Sequence, residues 1–376
     1  MNGALLLDPD LCRTRQRRLH AALDGTGVDL VVVTSPEHVQ YLTGHRWDYR
    51  WARAPLAALD ASGRVLLVCP DREVEQAAAD EVRVYDSKRR STLRLDQREA
   101  SAAVLCDWLA ARPAVRRVAL EYSACCPHVS RLFGAAETLD VEPVLWTLRR
   151  RKDADELRLL RRAIDATGAM YATARRLLRP GVNELAVFSA LQAAAVESCG
   201  EMLTDTGNDY ASGERGGAPR DRRIEAGELF ILDLGPAYRG YFSDNARTIA
   251  VDGRPTAAQR DACQRVAGAF PIVERMGRPG VRCRDIYSAV HDWLNAEPGL
   301  GSWNSHLGHG IGLFVHEIPH LNPAWDETLE EGDVVAVEPA LYGPELRAGI
   351  RLENDYLVTA SGLESLSPFP LGLADD

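Results

Sequence analysis

Apolar positions along this chain fall into two textures. From residue 1 to about 150, short apolar runs alternate with stretches of helical period. DLVVVT (29–34) and RVLLVC (64–69) read as buried strands, whereas RTRQRRLHAALDGTG (13–27) and SAAVLCDWLAARP (101–113) read as helices. VRRVALEY (115–122) restarts a strand after Pro113. Strands and helices alternating in this order predict a small α/β domain on a mixed sheet. Residues 148–181 then predict one long amphipathic helix, with Asp153 as its cap and Pro180-Gly181 as its stop. A second helix follows over 183–198, capped by Asn183. Beyond it strands dominate, interrupted by helical stretches at 256–270 and 284–296. The change of texture near Arg150 sets the expected domains at 1–150 and 151–376.

The strands of the second half carry acids. Asp233 and Asp244 flank PAYRG in ILDLGPAYRGYFSDNART, and Glu338 and Glu353 flank ALYGPELRAG in the segments VVAVEPALYG and GIRLENDYLVT. A buried carboxylate is costly unless it is paired or coordinates a metal. In a hairpin, acids equidistant from the turn can meet on one face. Two like charges brought together in this way need a cation between them or a shared proton. One such pair alone would be unremarkable as solvated edge-strand acids; two pairs beside a glycine-flanked histidine form a specific pattern. HLGHGIGLFVHEIPH (306–320) supplies that histidine, His309, and holds four of the nine histidines of the chain. Gly308, Gly310 and Gly312 let the backbone come close to whatever His309 binds. His316 reads as a polar active-site contact, while His306 and His320 carry no preference from the pattern alone. The resulting donor set suits two divalent cations. Manganese is the first expectation, with iron, cobalt and zinc open.

Composition narrows the rest. At 376 residues there is room for two cores. A formal net charge of -10 speaks against a nucleic-acid partner. No apolar run reaches the length of a membrane span, and MNGALLLDPDLCRTRQ lacks the order of a signal peptide. The eight cysteines are scattered without a CxxC pair, so reduced thiols in a cytoplasmic protein are expected.

These segments and their flanks resemble the pita-bread metallopeptidases, a family that includes methionine aminopeptidase, Xaa-Pro aminopeptidase, prolidase and the non-peptidase creatinase. VTSPEHVQYLTG (33–44) is similar to the N-terminal domain of the prolidase and creatinase branch, and RRKDADELRLLRRA (150–163) to its interdomain helix. The resemblance implies an α+β fold: a pita-bread C-terminal domain, pseudo-symmetric around a curved antiparallel sheet, behind a smaller creatinase-like α/β N-terminal domain. It puts Asp233, Asp244, His309, Glu338 and Glu353 on the five metal-ligand positions, with Asp244 and Glu353 bridging two metals. It makes Glu338 the proton shuttle and His316 the donor to the developing oxyanion. Arg351 matches an arginine of the proline-specific members, and Arg351 and His306 become candidate substrate contacts. It also implies a homodimer, for which the aromatic and arginine-rich HRWDYRWARAP (45–55) is a candidate contact.

Two departures from the family pattern stand out. Family peptidases carry a histidine in the loop before the first metal strand; TGNDYASGERGGAPRDRR (206–223) has none, with Gly216 or a near neighbour in its place. The histidine often found four residues before the metal-binding one is Ser305 here, with His306 one step along. Arg215, Asp209 or Tyr210 could take over the missing contact, and Arg215 would suit a substrate bearing a carboxylate. The expected activity is hydrolysis of an amide bond in a small substrate, of the Xaa-Pro dipeptide type first. The departures keep open a non-peptidase on the same fold: a creatinase-like or ectoine-hydrolase-like amidohydrolase, or a carbon–sulfur lyase. A binding protein that retains only the fold is the remaining alternative.

Overall fold

The computed structural model describes residues 5–46, 53–70, 76–88, 96–207, 209–296, 299, 301–303 and 306–374. Contacts divide it into two compact units, Met1–Arg149 and Arg150–Asp376.

The first unit is built on a six-stranded mixed sheet. Its centre is Leu30–Val33, buried at every position, which pairs antiparallel with Leu56–Asp60 and parallel with Arg117–Leu120. A strand covered on both faces reads as an unbroken apolar run, which is why DLVVVT was legible. Val65–Pro70 and Leu56–Asp60, the latter apolar and buried over its first four residues, complete the sheet with two strands that lack such a run, Glu81–Tyr85 and Glu137–Asp140. The last two alternate or expose their side chains and carry charges, as sheet-edge strands do. Helices Pro9–Ala22 and Gln97–Ala110 correspond to the two expected from periodicity, and the short helix Pro36–Thr43 lies between them in sequence. Leu105 and Trp108 of the second bury their side chains in the core beneath the sheet.

The second unit opens within the stretch 148–181, which holds the end of one helix, at Arg150, and a second over Ala154–Leu177 that starts at the expected cap Asp153 and ends before Pro180. Asp153 accounts for the break. It is in extended conformation, and the Glu156 carboxylate accepts from its backbone N–H at 2.9 Å, closing a capping box that starts a new helix. Helix Glu184–Cys199, whose N-cap Asn183 accepts from Leu185 N, packs against Ala154–Leu177. The strands are antiparallel throughout. A five-stranded sheet runs in the order Glu317–His320, Gly308–Gly310, Val334–Val337, Asn354–Thr359, Gly362–Ser365. Three two-stranded ribbons belong to the same unit: Leu229–Leu234 with Asn245–Ala250, Ala340–Gly343 with Ala348–Arg351, and the short Ala237–Tyr238 with Tyr241–Phe242. Helices Ala257–Ala267, Phe270–Met276 and Cys283–Asn295 close one core with Val335, Val337, Tyr356 and Val358. Among the described residues no helix is long and apolar enough to cross a membrane, and all eight cysteines are free.

Candidate metal centre and active site

Asp233 sits near the end of its strand, and the register pairs it with Ala246 instead of Asp244. The two acids are therefore diagonal neighbours, not opposite ones. Asp244 stands two residues outside Ala246 on the same face, still near enough to meet Asp233. Glu338 and Glu353 occupy the breaks between two ribbons: Val337 pairs with Asn354 and Ala340 with Arg351, leaving both acids just off the ladders. Their backbones are held by other strands. Glu338 N donates to Leu307 O at 2.8 Å and Glu353 N to Ala246 O at 2.9 Å. Asn245 Nδ2 and the buried Arg247 guanidinium both donate to Glu353 O, so the second hairpin is fixed to the first.

Ligand atoms of Asp233, Asp244 and Glu353 all lie within 4.8 Å of one another, as do those of His306, His309 and Glu338, and those of Asp244, His309 and His316. His309 links the groups: its Nε2 is 3.5 Å from Asp244 Oδ2 and 3.7 Å from Glu338 Oε1. Its Nδ1 is 3.0 Å from Gly310 O, an acceptor only, so Nδ1 carries the proton and Nε2 turns its lone pair to the acids. Gly308 allows this arrangement. Its φ is +159°, and a Cβ there would collide with the carbonyl of Ala336 on the neighbouring strand.

Burial first, then the neighbouring carboxylates, raise Asp244 and Glu353 well above the usual carboxylate range. Burial also raises Asp233 to about 6, against the pull of Arg351. Burial lowers His309 to about 4, which keeps it neutral and able to ligate. Glu338 goes the other way: burial would raise it, but contacts with His306 and His309 hold it below its ordinary value. Asp233 Oδ1 and Glu353 Oε2 are buried without a hydrogen-bond partner. A buried acid cluster with raised pKa values, orphaned oxygens and one neutral imidazole is the donor set divalent cations require, so the residues present fit such ions.

The remaining candidates separate. His306 Nε2 stands 3.0 Å from Glu338 Oε1, inside the site, so the shift from 305 to 306 still delivers an imidazole. His316 is exposed, its ring centroid 3.8 Å from that of His309. His320 pairs with Glu327 and lies tilted against Trp325, ring centroids 4.9 Å apart. Tyr210 is buried, its hydroxyl 3.1 Å from Thr206 Oγ1. Arg351 is held by the protein on every side, through Asp209, Asp233, Tyr342 and the carbonyl of Arg215. Arg215 itself is exposed, its guanidinium carbon 5.1 Å from the centre of the Tyr342 ring. Ser305 and residues 47–52 of the candidate contact segment lie outside the described residues. Sequence reasoning missed Asp355, which is fully buried, accepts from Asp244 N at 3.4 Å, and is driven up by burial. Its signal was present, an acid inside an apolar strand, but adjacency to Glu353 hid it.

Comparison with known proteins places this geometry in a class. Residues 158–360 match metallopeptidase family M24, and residues 15–151 match the creatinase/prolidase N-terminal domain. The chain belongs to metallopeptidase family M24 and is a metal-dependent hydrolase with the pita-bread fold. It is 28% identical over 349 residues to the uncharacterized peptidase YqhT of Bacillus subtilis, covering 92% of this chain and 95% of that one. It is 26% identical over 368 residues to the Xaa-Pro dipeptidase of Pyrococcus horikoshii, covering 95% and 98%. Among solved structures, the dipeptidase PepE of Mycobacterium ulcerans superposes with a TM-score of 0.77 at 26% identity, over 98% of this chain and 99% of that one. The Xaa-Pro dipeptidase of Bacillus anthracis shares the fold, with a TM-score of 0.81 at 23% identity over 96% and 99%.

Proposed function

We propose that this protein is a dinuclear-metal hydrolase that cleaves an amide bond in a small, carboxylate-bearing substrate, of which an Xaa-Pro dipeptide is the nearest type. The observation that carries the reading is the buried cluster of Asp233, Asp244 and Glu353, raised in pKa and joined through His309 to Glu338. Two divalent cations, manganese first, would be held by Asp233, Asp244, His309, Glu338 and Glu353. When bound they supply Lewis acidity and an acidified water. Glu338 takes the proton released as the water oxygen bonds to the carbonyl carbon, and delivers it to the leaving nitrogen as the C–N bond breaks. His306 keeps Glu338 ionised and oriented for that task. His316, exposed beside His309, donates a hydrogen bond to the oxygen on which negative charge develops. Arg215 is the exposed cation left to meet a substrate carboxylate, because the donors of Arg351 are engaged.

A second reading, a non-peptidase amidohydrolase, is favoured by one feature: the loop 206–220 offers no imidazole to a peptide nitrogen and places Asp209 against Arg351 instead. A panel of Xaa-Pro dipeptides, tested beside creatine, ectoine and small N-acyl acids with Mn²⁺-loaded protein, separates the two. Robust turnover of several dipeptides, insensitive to Arg215→Ala, supports the plain peptidase and removes the role of Arg215. Turnover confined to non-peptide amides supports the second reading.

A further inference from the structure

The loop before the first metal strand holds a second carboxylate face to face with that strand's own. Asp209 and Asp233 form an antiparallel bridge, N to O at 3.4 and 3.3 Å, so two like charges stand directly opposite each other. That pairing is unfavourable by itself. Arg351 makes it tenable: Nη1 donates to Asp209 Oδ2 at 2.8 Å and to Asp233 Oδ2 at 2.6 Å, Nη2 to Arg215 O at 2.9 Å, and Nε to Tyr342 Oη at 3.0 Å. The other oxygen of Asp209 accepts from Gly217 N at 2.6 Å. Gly216 is needed for the arrangement, since any Cβ there would overlap the Asp209 carboxylate, and its φ of +153° is already unfavourable for other residues.

We propose that Asp209, admitted by Gly216, is a positioning residue for the metal centre that acts through Arg351. Sharing Arg351 with Asp209 fixes the Asp233 carboxylate by one oxygen, Oδ2, and leaves Oδ1 unpartnered beside Asp244 and Glu353. It also divides the guanidinium charge between two acids. Without Asp209 the whole positive charge of Arg351 falls on Asp233 and competes with a cation for the same carboxylate. The loop thus sets cation affinity from outside the ligand set, and a side chain at 216 is excluded for the same reason.

The inference rests on the reading that the acid cluster binds divalent cations, and calorimetric titration of metal-free protein with Mn²⁺ tests both. Asp209→Ala and Asp209→Asn are each expected to weaken Mn²⁺ binding by roughly 10-fold or more, the scale of groups that orient metal ligands, with the far-ultraviolet circular dichroism unchanged. Gly216→Ala should weaken it in the same sense, by displacing the Asp209 carboxylate. In an Arg351→Met background, Asp209→Ala should add nothing, because its route is gone. Wild-type affinity in both Asp209 variants, or an equal loss in the Arg351→Met background, would overturn the inference while leaving the metal reading intact. A wild-type protein that takes up no Mn²⁺ would overturn both.

Discussion

Glu338 is the residue whose chemistry is most separable from its structure. It is held in place by Leu307 O through its backbone and by His306 through its side chain. Glu338→Gln should therefore fold normally and still offer an oxygen to a cation, yet lose about 10²- to 10⁴-fold in kcat, the range for a lost proton shuttle. Turnover at the parent rate would demote Glu338 to a structural part. The neighbouring acids predict an unusual pH profile for the metal-free protein. Asp233 is raised from 3.8 to about 6, and Asp244 and Glu353 rise further in the same direction. The folded state then binds more protons than the unfolded chain above pH 3.8, so these groups' contribution to stability falls as pH rises to about 6 and beyond. Carboxylates lowered in the fold act in a different window. Glu184 and Glu228 are opposed by burial but lowered by Arg220 and Arg222. Their contribution is complete above the ordinary Glu value of 4.5 and lost only as pH falls through their lowered values. Thermal melts of metal-free protein should thus show stability declining from pH 5 towards 7, less steeply than the three acids alone would give, because His309 and His316 are lowered by burial and add stability as pH rises through the ordinary His range; Mn²⁺ should abolish the decline. A metal-free melting temperature that rises steadily over that interval would contradict the raised values.

At the scale of elements, legibility followed burial. The four acidic ligands proposed stood out because acids interrupt apolar strands, His309 because glycines flank it, and Leu30–Val33 because both its faces are covered. What escaped were elements without a contrast to read. Glu137–Asp140 is a sheet-edge strand of mostly polar residues, and the preceding helix Glu142–Arg150 continues the helical period of the next, so the two read as one although the cap at Asp153 was legible. The break depends on a cap, so it can be tested. Asp153→Ala removes the N-cap of Ala154–Leu177 and should cost about 1 kcal/mol in thermal or urea unfolding. No change would mean that packing against Glu184–Cys199 alone decides where the helix begins. The loop 206–220 was legible only as a departure. Its residue types indicated that an imidazole was missing, but only the fold brings Asp209 opposite Asp233 and Arg351 between them. Register was likewise invisible: equal spacing from a turn suggested Asp233 opposite Asp244, and the ladder instead sets them two residues apart.

At the scale of the molecule, each unit has its own core, and family M24 membership accounts for the second with the creatinase/prolidase N-terminal domain as the first. We propose that the protein works as a homodimer, since aromatic and arginine residues of 45–55 are of the kinds enriched at interfaces. Light scattering at micromolar concentration should give twice the 41.3 kDa chain mass; a fully active monomer would remove the idea. We propose that four acids and one histidine, drawn from two hairpins and a glycine-rich strand, hold a pair of cations. Equilibrium dialysis of metal-free protein against Mn²⁺, followed by metal analysis, tests it most directly when wild type and Asp244→Ala are run together. Two Mn²⁺ per chain are expected for wild type, with loss of both from Asp244→Ala, because a carboxylate shared between two sites serves each. Full occupancy in the variant, or none in the wild type, would contradict it.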